Sequence, residues 1–168
     1  MEAARRAAEA DLPALADLWR SAAVAATPAR GGAALLAELR ISEPLDDMLR
    51  SGLDAADHVV VAGCIDEVVV GIATARFHRP PSAPHRPIGV VEMLFVEPEA
   101  RGVGVGEAMM DVVIRWGEDV GCHGIDAPAL PGARDAKAFF ETMGLVTRAL
   151  IMHRPITPGG RGALPRHP

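Results

Sequence analysis

The stretch Val90–Gly106, which reads VVEMLFVEPEARGVGVG, decides how the chain is expected to fold. It begins with an apolar, β-branched run typical of a strand, passes through a proline turn, and ends in a loop with three glycines in five residues. Residues 107–118 then carry apolar side chains at helical spacing. The pattern therefore predicts a strand, a turn, a glycine-rich loop and a helix in immediate succession.

The glycine-rich loop has the features of a phosphate-binding site. Glycines let the backbone turn tightly and approach a ligand, and the loop opens a helix whose first N–H groups lack partners inside the helix. The positive end of the helix dipole and the guanidinium of Arg101 add favourable charge. The alternative is that the glycines only form a tight turn between strand and helix.

Two common phosphate-binding motifs do not fit this loop. A P-loop requires Lys and then Ser or Thr after the last glycine, whereas Gly106 is followed by Glu107 and Ala108. A dinucleotide-binding fingerprint requires its third glycine at a position held here by Glu107 or Met109. These mismatches argue against a nucleotide-binding protein of another fold. The motif that remains is Arg-x-x-Gly-x-Gly, from Arg101 to Gly106.

The rest of the chain is predicted to form strands and helices around this stretch. The strands are expected over 4–8, 58–65, 68–77, 88–96, 122–127 and 145–153, and the helices over 11–23, 33–40, 43–51, 107–118 and 133–143. Asp11 is the expected N-cap of the first helix, and Gly52 the expected end of the third. Because hairpins come first and crossover helices later, an α/β fold with a mixed sheet is predicted.

Length and composition set further limits. The chain has 168 residues, of which 49% are hydrophobic and 23% charged, so we expect one domain over 1–156 and a flexible tail over 157–168. A net charge of −5 without a basic stripe argues against a nucleic-acid partner. No apolar run is long enough for a transmembrane helix or a secretory signal, so we expect no membrane partner and a cytoplasmic location.

The cysteines and tryptophans are expected to be structural. Cys64 and Cys122 lie in apolar segments without metal-ligand spacing, which predicts reduced thiols and no metal site. Trp19 and Trp116 lie on the apolar faces of predicted helices and are expected in the core.

A second segment, LPGARDAKAFFETMGL over 130–145, adds to the first motif. It resembles the Asn-x-x-Ala-x-x-Phe-Tyr-Glu-x-x-Gly-Phe helix of the GNAT superfamily of acetyl-CoA-dependent N-acetyltransferases, with matches at Ala136, Phe139, Glu141 and Gly144. In that family the Arg-x-x-Gly-x-Gly loop also follows a strand and a proline turn. The resemblance implies a central, mostly antiparallel twisted sheet flanked by helices, and the activity of an N-acetyltransferase.

The resemblance also implies which residues bind acetyl-CoA, the co-substrate. The end of the strand would offer backbone groups to the pantetheine arm, and the loop amides would hold the pyrophosphate. The residues concerned are Leu94, Phe95, Val96, Arg101, Gly102, Val103, Gly104, Val105, Gly106, Glu107 and Phe140. The expected acceptor is a primary amine of a small molecule, with a peptide amine second. A homodimer is common in the family and is one option for this chain.

Two positions depart from the family's pattern. Phe140 stands where the family often has the tyrosine that protonates the departing thiolate, and the chain contains no tyrosine. Ala133 stands where the family has an asparagine. A thiol with a pKa of about 8.5 leaves tolerably as a thiolate, so the missing tyrosine does not abolish catalysis. The departures nevertheless leave open a non-catalytic acyl-CoA-binding or regulatory module.

Glu92 is the candidate general base. An alkyl ammonium has a pKa of about 10.4, so a proton must be removed before the amine can attack a thioester. Glu92 interrupts an apolar strand two residues before Leu94, where some GNAT enzymes carry a catalytic glutamate. The alternative is a salt-bridged structural acid, because an ionised group in a strand usually needs a partner.

Other polar residues are weaker candidates for an acceptor site. Glu43, Asp46 and Asp47 lie in the helical region that shapes acceptor pockets in the family, although a solvated helix face explains them as well. His78 and His85 flank a loop with four prolines and are expected to be ordinary loop histidines.

Overall fold

The computed structural model of the protein describes residues 1–39 and 41–153. Its strands are β1 (Glu2–Arg6), β2 (His58–Ile65), β3 (Val68–His78), β4 (Ile88–Val96) and β5 (Ile125–Asp126). Its helices are α1 (Leu12–Ala26), α2 (Gly32–Glu38), α3 (Leu45–Asp54), α4 (Val105–Asp119) and α5 (Arg134–Thr142), with short 3-10 turns at Glu9–Asp11 and Pro98–Ala100. The predicted domain end at 156 and the predicted tail lie outside the described residues.

The five strands form one sheet in the order β1-β2-β3-β4-β5. β1 to β4 pair antiparallel, and β5 pairs parallel to β4. The prediction of a mixed, mostly antiparallel sheet flanked by helices is therefore confirmed. The β2–β3 hairpin turns through Asp66 and Glu67, whose φ angles of 45° and 70° belong to the mirror-image turn that matches strand twist.

Helices cover both faces of the sheet and bury two apolar clusters. One cluster lies under α1 and α3 and includes Trp19 and Leu49. The other lies under α4 and includes Trp116 and Met109. Both tryptophans are buried and both cysteines are free thiols, as predicted. Within the described ranges, no helix is long and apolar enough to cross a membrane.

β4 contains a bulge of one residue at Glu92. Met93 pairs with Thr74, whereas Val91 pairs with Ala75, so Glu92 is the extra residue on its strand. A bulge interrupts the alternation of side chains between the two faces. Val91 accordingly belongs to the cluster under α4, whereas Met93, two residues later, belongs to the cluster under α1 and α3. The bulge therefore re-aims the side chains in the middle of β4.

The predicted last strand over 145–153 is wrong. These residues have no regular structure, and Val146, Leu150 and Ile151 are exposed. Their apolar composition favours a strand, but β5 has only two residues instead of the predicted 122–127 and offers little edge for pairing.

Gly52 does not end α3, which continues to Asp54. A Cβ atom at Gly52 would lie 2.3 Å from Nδ1 of His58, so the glycine allows the helix to pack closely against the start of β2. The residue thus has a packing role, and the prediction of a helix stop is wrong.

The side chain of Asp11 forms an ion pair and does not cap α1, so the prediction of a capping side chain is wrong. Arg5 donates to both carboxylate oxygens at 2.6 and 2.8 Å, and the N–H of Ala8 donates at 2.7 Å. Asp11 is only 7% exposed. The hydrogen bonds from Arg5, with that of Ala8, outweigh burial and hold the pKa of Asp11 below its ordinary value.

We expect Asp11→Asn to lower the free energy of unfolding by about 2 kcal/mol at neutral pH, since hydrogen bonds to charged groups contribute about 1.5–3 kcal/mol. Because the folded-state pKa is lowered, this stabilisation is complete above the unfolded-state pKa of about 3.9 and is lost as pH falls through the folded-state value. Urea unfolding across a pH series measures the difference. Asp17→Asn, which removes an exposed carboxylate, is the control. Equal losses in the two variants would contradict the prediction.

Candidate active site

One edge of β4 is open beside the glycine-rich loop. β5 pairs with β4 only at Gly89 and Val90, so in the described chain no strand covers this edge beyond Val90. The opposite edge is paired with β3 as far as Val96. β4 and β5 therefore separate, and the last part of β4 can accept another extended chain along its open edge.

The hydrogen bonds of β4 show which backbone groups face the open edge. The N–H of Glu97 donates to the carbonyl of Val70 at 3.0 Å, and antiparallel pairs alternate between bonded and non-bonded. Phe95 therefore turns its N–H and C=O toward β3, whereas Leu94 and Val96 turn theirs toward the open edge. Two of the three strand residues predicted to contact acetyl-CoA thus offer backbone groups on that side.

Two glycines of the loop need a left-handed backbone. Gly102 has a φ of 78° and Gly104 a φ of 100°, a region that other residues rarely adopt. A Cβ atom at either position would meet nothing within 4 Å. The requirement for glycine at these positions is therefore conformational, and the space in front of the loop is open.

The N-terminus of α4 presents free amides to that space. The first intrahelical bond runs from the N–H of Ala108 to the carbonyl of Gly104 at 3.0 Å. The N–H groups of 104–107 have no acceptor among the described residues, and no side chain caps the helix. Four free amides at the positive end of a helix of 15 residues suit an anionic group such as phosphate. This arrangement favours the phosphate-binding interpretation over that of a simple turn.

Arg101 is anchored between the loop and the end of β4. Its Nε donates to the carbonyl of Val96 at 2.9 Å, and its guanidinium lies 5.6 Å from the centre of the Phe95 ring. Its remaining guanidinium nitrogens make no hydrogen bond to the described chain and face solvent. Arg101 thus places a positive charge next to the open edge.

Gly106 and Phe140 are part of the packing between α4 and α5. A Cβ atom at Gly106 would lie 3.2 Å from Cε2 of Phe139, so this glycine lets α5 approach α4 closely. The rings of Phe139 and Phe140 meet edge to face with centroids 5.4 Å apart, and both pack against the cluster under α4. Phe140 carries no polar hydrogen and cannot protonate a thiolate.

Glu92 points to the face of the sheet that α1 and α3 cover. The Nε of Arg76 donates to Oε1 of Glu92 at 3.0 Å, and Nε2 of His58 lies 3.5 Å from Oε2. The Glu92 side chain is 23% exposed and that of His58 only 7%. The ion pair anticipated as the structural alternative for Glu92 is therefore present, and part of the carboxylate still faces outward.

Opposing effects set the pKa of Glu92. Burial is the largest and raises it, whereas His58 and Arg76 together lower it and prevail, so the pKa lies below its ordinary value. At 3.5 Å the His58 contact is longer than a normal hydrogen bond, whereas the Arg76 bond is normal. Arg76 is therefore the main partner, and Glu92 is a carboxylate at neutral pH.

A small cavity opens beside Glu92. Its volume is about 20 Å³, room for roughly one group the size of a water molecule. Its walls come from α1, α3, the segment before α3 and the strands β2, β3 and β4. The lining residues are Trp19, Leu39, Ile41, Met48, Leu49, His58, Thr74, Arg76 and Glu92. A space of this size holds one small polar group next to the carboxylate of Glu92.

The other predicted acceptor-site residues do not line this cavity. Glu43 accepts a hydrogen bond from the N–H of Leu45 at 3.1 Å, and Asp47 pairs with Arg50 at 2.6 Å. Asp46, His78 and His85 also lie elsewhere. These contacts agree with the interpretation of Glu43 and Asp47 as residues of a solvated helix region.

His58 belongs to this site, although its place in the sequence does not mark it as a functional residue. It opens the apolar run HVVVAGCI and therefore looks like the first residue of a core strand. The available signal was a titratable residue at the head of a strand that is otherwise apolar.

The chain belongs to the GNAT family of acetyltransferases: the sequence model of the Acetyltransferase (GNAT) family matches residues 17–145. The protein is therefore an acyltransferase of a family that uses acetyl-CoA. This match confirms the resemblance inferred from the two motifs.

Aminoglycoside N(6')-acetyltransferase type 1 from Stenotrophomonas maltophilia is 29% identical over 143 residues, which span 79% of this chain and 92% of the relative. The solved structure of AAC(6')-Iy in complex with the bisubstrate analog CoA-S-monomethyl-acetylneamine matches with a TM-score of 0.69 at 19% identity, covering 94% of this chain and 99% of that one. An aminoglycoside acetyltransferase from an uncultured soil metagenomic sample, in complex with sisomicin, gives 0.66 at 18% identity, with 93% and 95% covered. At these identities the structures share the fold.

Proposed function

We propose that the protein transfers the acetyl group of acetyl-CoA to a primary amine of a small, cationic molecule, with amino sugars of the aminoglycoside class as the first candidates. The observation that carries the proposal is the set of free amides of 104–107 next to the open edge of β4. The acceptor class draws on the aminoglycoside acetyltransferase that is 29% identical to this chain. A net charge of −5 also favours the approach of a cation.

The residues present fit acetyl-CoA along its length. The free amides of 104–107 and the guanidinium of Arg101 suit the pyrophosphate. The backbone groups of Leu94 and Val96 suit the amides of the pantetheine arm, in the manner of a strand added to an edge. Acetyl-CoA itself supplies an acetyl group activated as a thioester.

The proposed reaction is a direct attack of the amine on the thioester. Glu92 accepts the proton that the amine must lose, and an N–H on the open edge, such as that of Leu94, polarises the thioester carbonyl. Neither cysteine is suited to form an intermediate, because burial raises the pKa of both thiols. Phe140 offers no proton, so the departing thiolate takes one from water.

Ligand-dependent melting tests the acetyl-CoA site. At 100 times the dissociation constant, a ligand that binds only the folded state stabilises it by about 2.7 kcal/mol. For a chain of this size we expect the melting temperature to rise by about 5–10 °C with acetyl-CoA or CoA, and not with NAD or ATP. No shift with either CoA compound would overturn the proposal.

Release of free CoA thiol in the presence of amines tests the transfer. The panel should contain an aminoglycoside, a linear polyamine and a peptide with a free amine. We expect turnover with the aminoglycoside first. Binding of acetyl-CoA without turnover on any amine would favour the alternative of a non-catalytic acyl-CoA-binding module.

A further inference from the structure

His58 carries a buried nitrogen without a partner. Its side chain is 7% exposed, and Nε2 has no hydrogen-bond partner among the described residues. Buried polar atoms are nearly always hydrogen-bonded, and an exception calls for a functional explanation. The nitrogen lies in the wall of the cavity beside Glu92.

Among residues 1–39 and 41–153, two charged groups face His58. Glu92 on β4 places Oε2 at 3.5 Å from Nε2, and Arg76, paired with His58 across β2 and β3, is the other charged residue of the cavity. α1 contributes Trp19 to the wall, and α3 contributes Met48 and Leu49, all without charge. Within the described part of the chain, the imidazole therefore faces a wall with one carboxylate, one guanidinium and the hydroxyl-bearing Thr74, the other lining residues being apolar.

Glu92 alone is a weak proton acceptor. Its Oε1 is held by Arg76 at 3.0 Å, and its pKa is lowered below the ordinary value. An acceptor ammonium has a pKa of about 10.4, far above that of a carboxylate, so the proton would return readily. Imidazole is the side chain whose ionisation lies closest to neutral pH, and it retains a proton better under those conditions.

We propose that His58 is the final proton acceptor of the transfer reaction and receives the proton through Glu92. The inference rests on the proposed function. One N–H bond of the acceptor ammonium breaks, its electron pair stays on nitrogen to attack the thioester, and the proton goes to Oε2 of Glu92. The C–N bond forms as the C–S bond breaks, and the second proton of the nitrogen goes to water, which supplies the proton that the thiolate takes up. In the neutral tautomer with its hydrogen on Nδ1, which this step requires, the lone pair of Nε2 of His58 then takes the proton. Glu92 returns to the carboxylate form, paired with an imidazolium and with Arg76.

His58 does not touch the substrate in this scheme, so its effect must be separated from a structural one. His58→Gln keeps a polar group of similar reach that can donate to Glu92, but it cannot take up a proton. His78→Gln, at the exposed end of β3, is the matched control. A structural role would be preserved in His58→Gln, whereas a proton-accepting role would be lost.

The test is kcat as a function of pH at saturating acetyl-CoA and acceptor. In the wild type we expect kcat to fall tenfold per pH unit on the acidic side, because a protonated His58 cannot accept a proton. In His58→Gln we expect kcat lowered by about 10²-fold or more at neutral pH, the acidic limb lost, and the KM for acetyl-CoA unchanged. His78→Gln should match the wild type in all three respects.

A measurement without turnover keeps the inference testable if the variant folds poorly. The ¹⁵N imidazole signals of the wild type and of Glu92→Gln are compared by NMR, with His58→Gln used for assignment. Because Nε2 of His58 lies 3.5 Å from Oε2 of Glu92, its signal should shift in Glu92→Gln, whereas that of His78 should not. A neutral His58 with its hydrogen on Nε2, or an Nε2 signal unchanged in Glu92→Gln, would overturn the proposal.

The outcomes separate this inference from the proposed function. Turnover with an unchanged pH profile in His58→Gln would overturn the role of His58 and leave the acetyl transfer standing. Failure of the wild type to turn over any amine would overturn the transfer function, and the role of His58 with it.

Discussion

Glu92→Gln is expected to lower kcat by about 10²- to 10⁴-fold, the range that a positioned general base contributes. The substitution keeps the shape of the side chain and can still accept a hydrogen bond from Arg76, but it removes the group that takes the proton of the acceptor ammonium. The KM for acetyl-CoA should not change, because Glu92 lies on the face under α1 and α3, away from the amides of 104–107. Steady-state kinetics with varied acetyl-CoA measures both quantities.

Glu118→Gln is the matched control for that experiment. Glu118 is exposed near the end of α4 and forms no ion pair within the described chain, so the variant makes the same charge change far from the site. We expect its kcat within a factor of about two of the wild type, since surface substitutions of this kind shift free energies by less than about 0.5 kcal/mol. If both glutamine variants lost the same activity, or if neither did, Glu92 would not be the proton acceptor.

Gly104→Ala is expected to weaken the binding of acetyl-CoA by about 10- to 100-fold, equivalent to one charge-assisted hydrogen bond of about 1.5–3 kcal/mol. The φ of 100° at Gly104 disfavours any side chain, so alanine would rotate the backbone that aims the amides of 104–107. Calorimetric titration with CoA measures the affinity. Stability should also fall, by about 1–2 kcal/mol, because of the left-handed conformation.

Gly121→Ala separates these two effects. Gly121 follows α4, has a φ of 77°, and a Cβ atom there would meet nothing within 4 Å, as at Gly104. The two alanine variants should therefore lose similar stability, while only Gly104→Ala loses affinity for CoA. Equal affinities in the two variants would mean that the loop does not hold the pyrophosphate.

Much of the fold was predictable because its signals are local. The strand over 88–96 matches β4 at both ends, since an apolar run bounded by prolines defines it. The Asp66-Glu67 turn was equally predictable, whereas α4 begins at Val105, two residues before the predicted start, and includes Gly106. The last strand was not, because pairing depends on the length of β5, which composition does not reveal.

The site was only partly predictable. The loop and Glu92 stand out as local departures from an apolar pattern. The contact of Glu92 with His58 crosses β3 and joins strands that are not neighbours in the sheet, so no spacing along the chain reports it. The cavity could not be predicted for the same reason, because its wall is assembled from two helices, three strands and a connecting segment that are distant in the sequence.

The bulge at Glu92 also separates what the site requires of β4 from what the sheet requires. The extra residue lies between Val91, whose side chain packs under α4, and Met93, whose side chain packs under α1 and α3. Deleting this residue would leave both segments in phase, because Val91 and Met93 pair with the adjacent residues Ala75 and Thr74 of β3 and already lie on opposite faces of the sheet. The pairing of β3 with β4 therefore does not need residue 92, and the extra position can carry a side chain that serves the site and not the sheet.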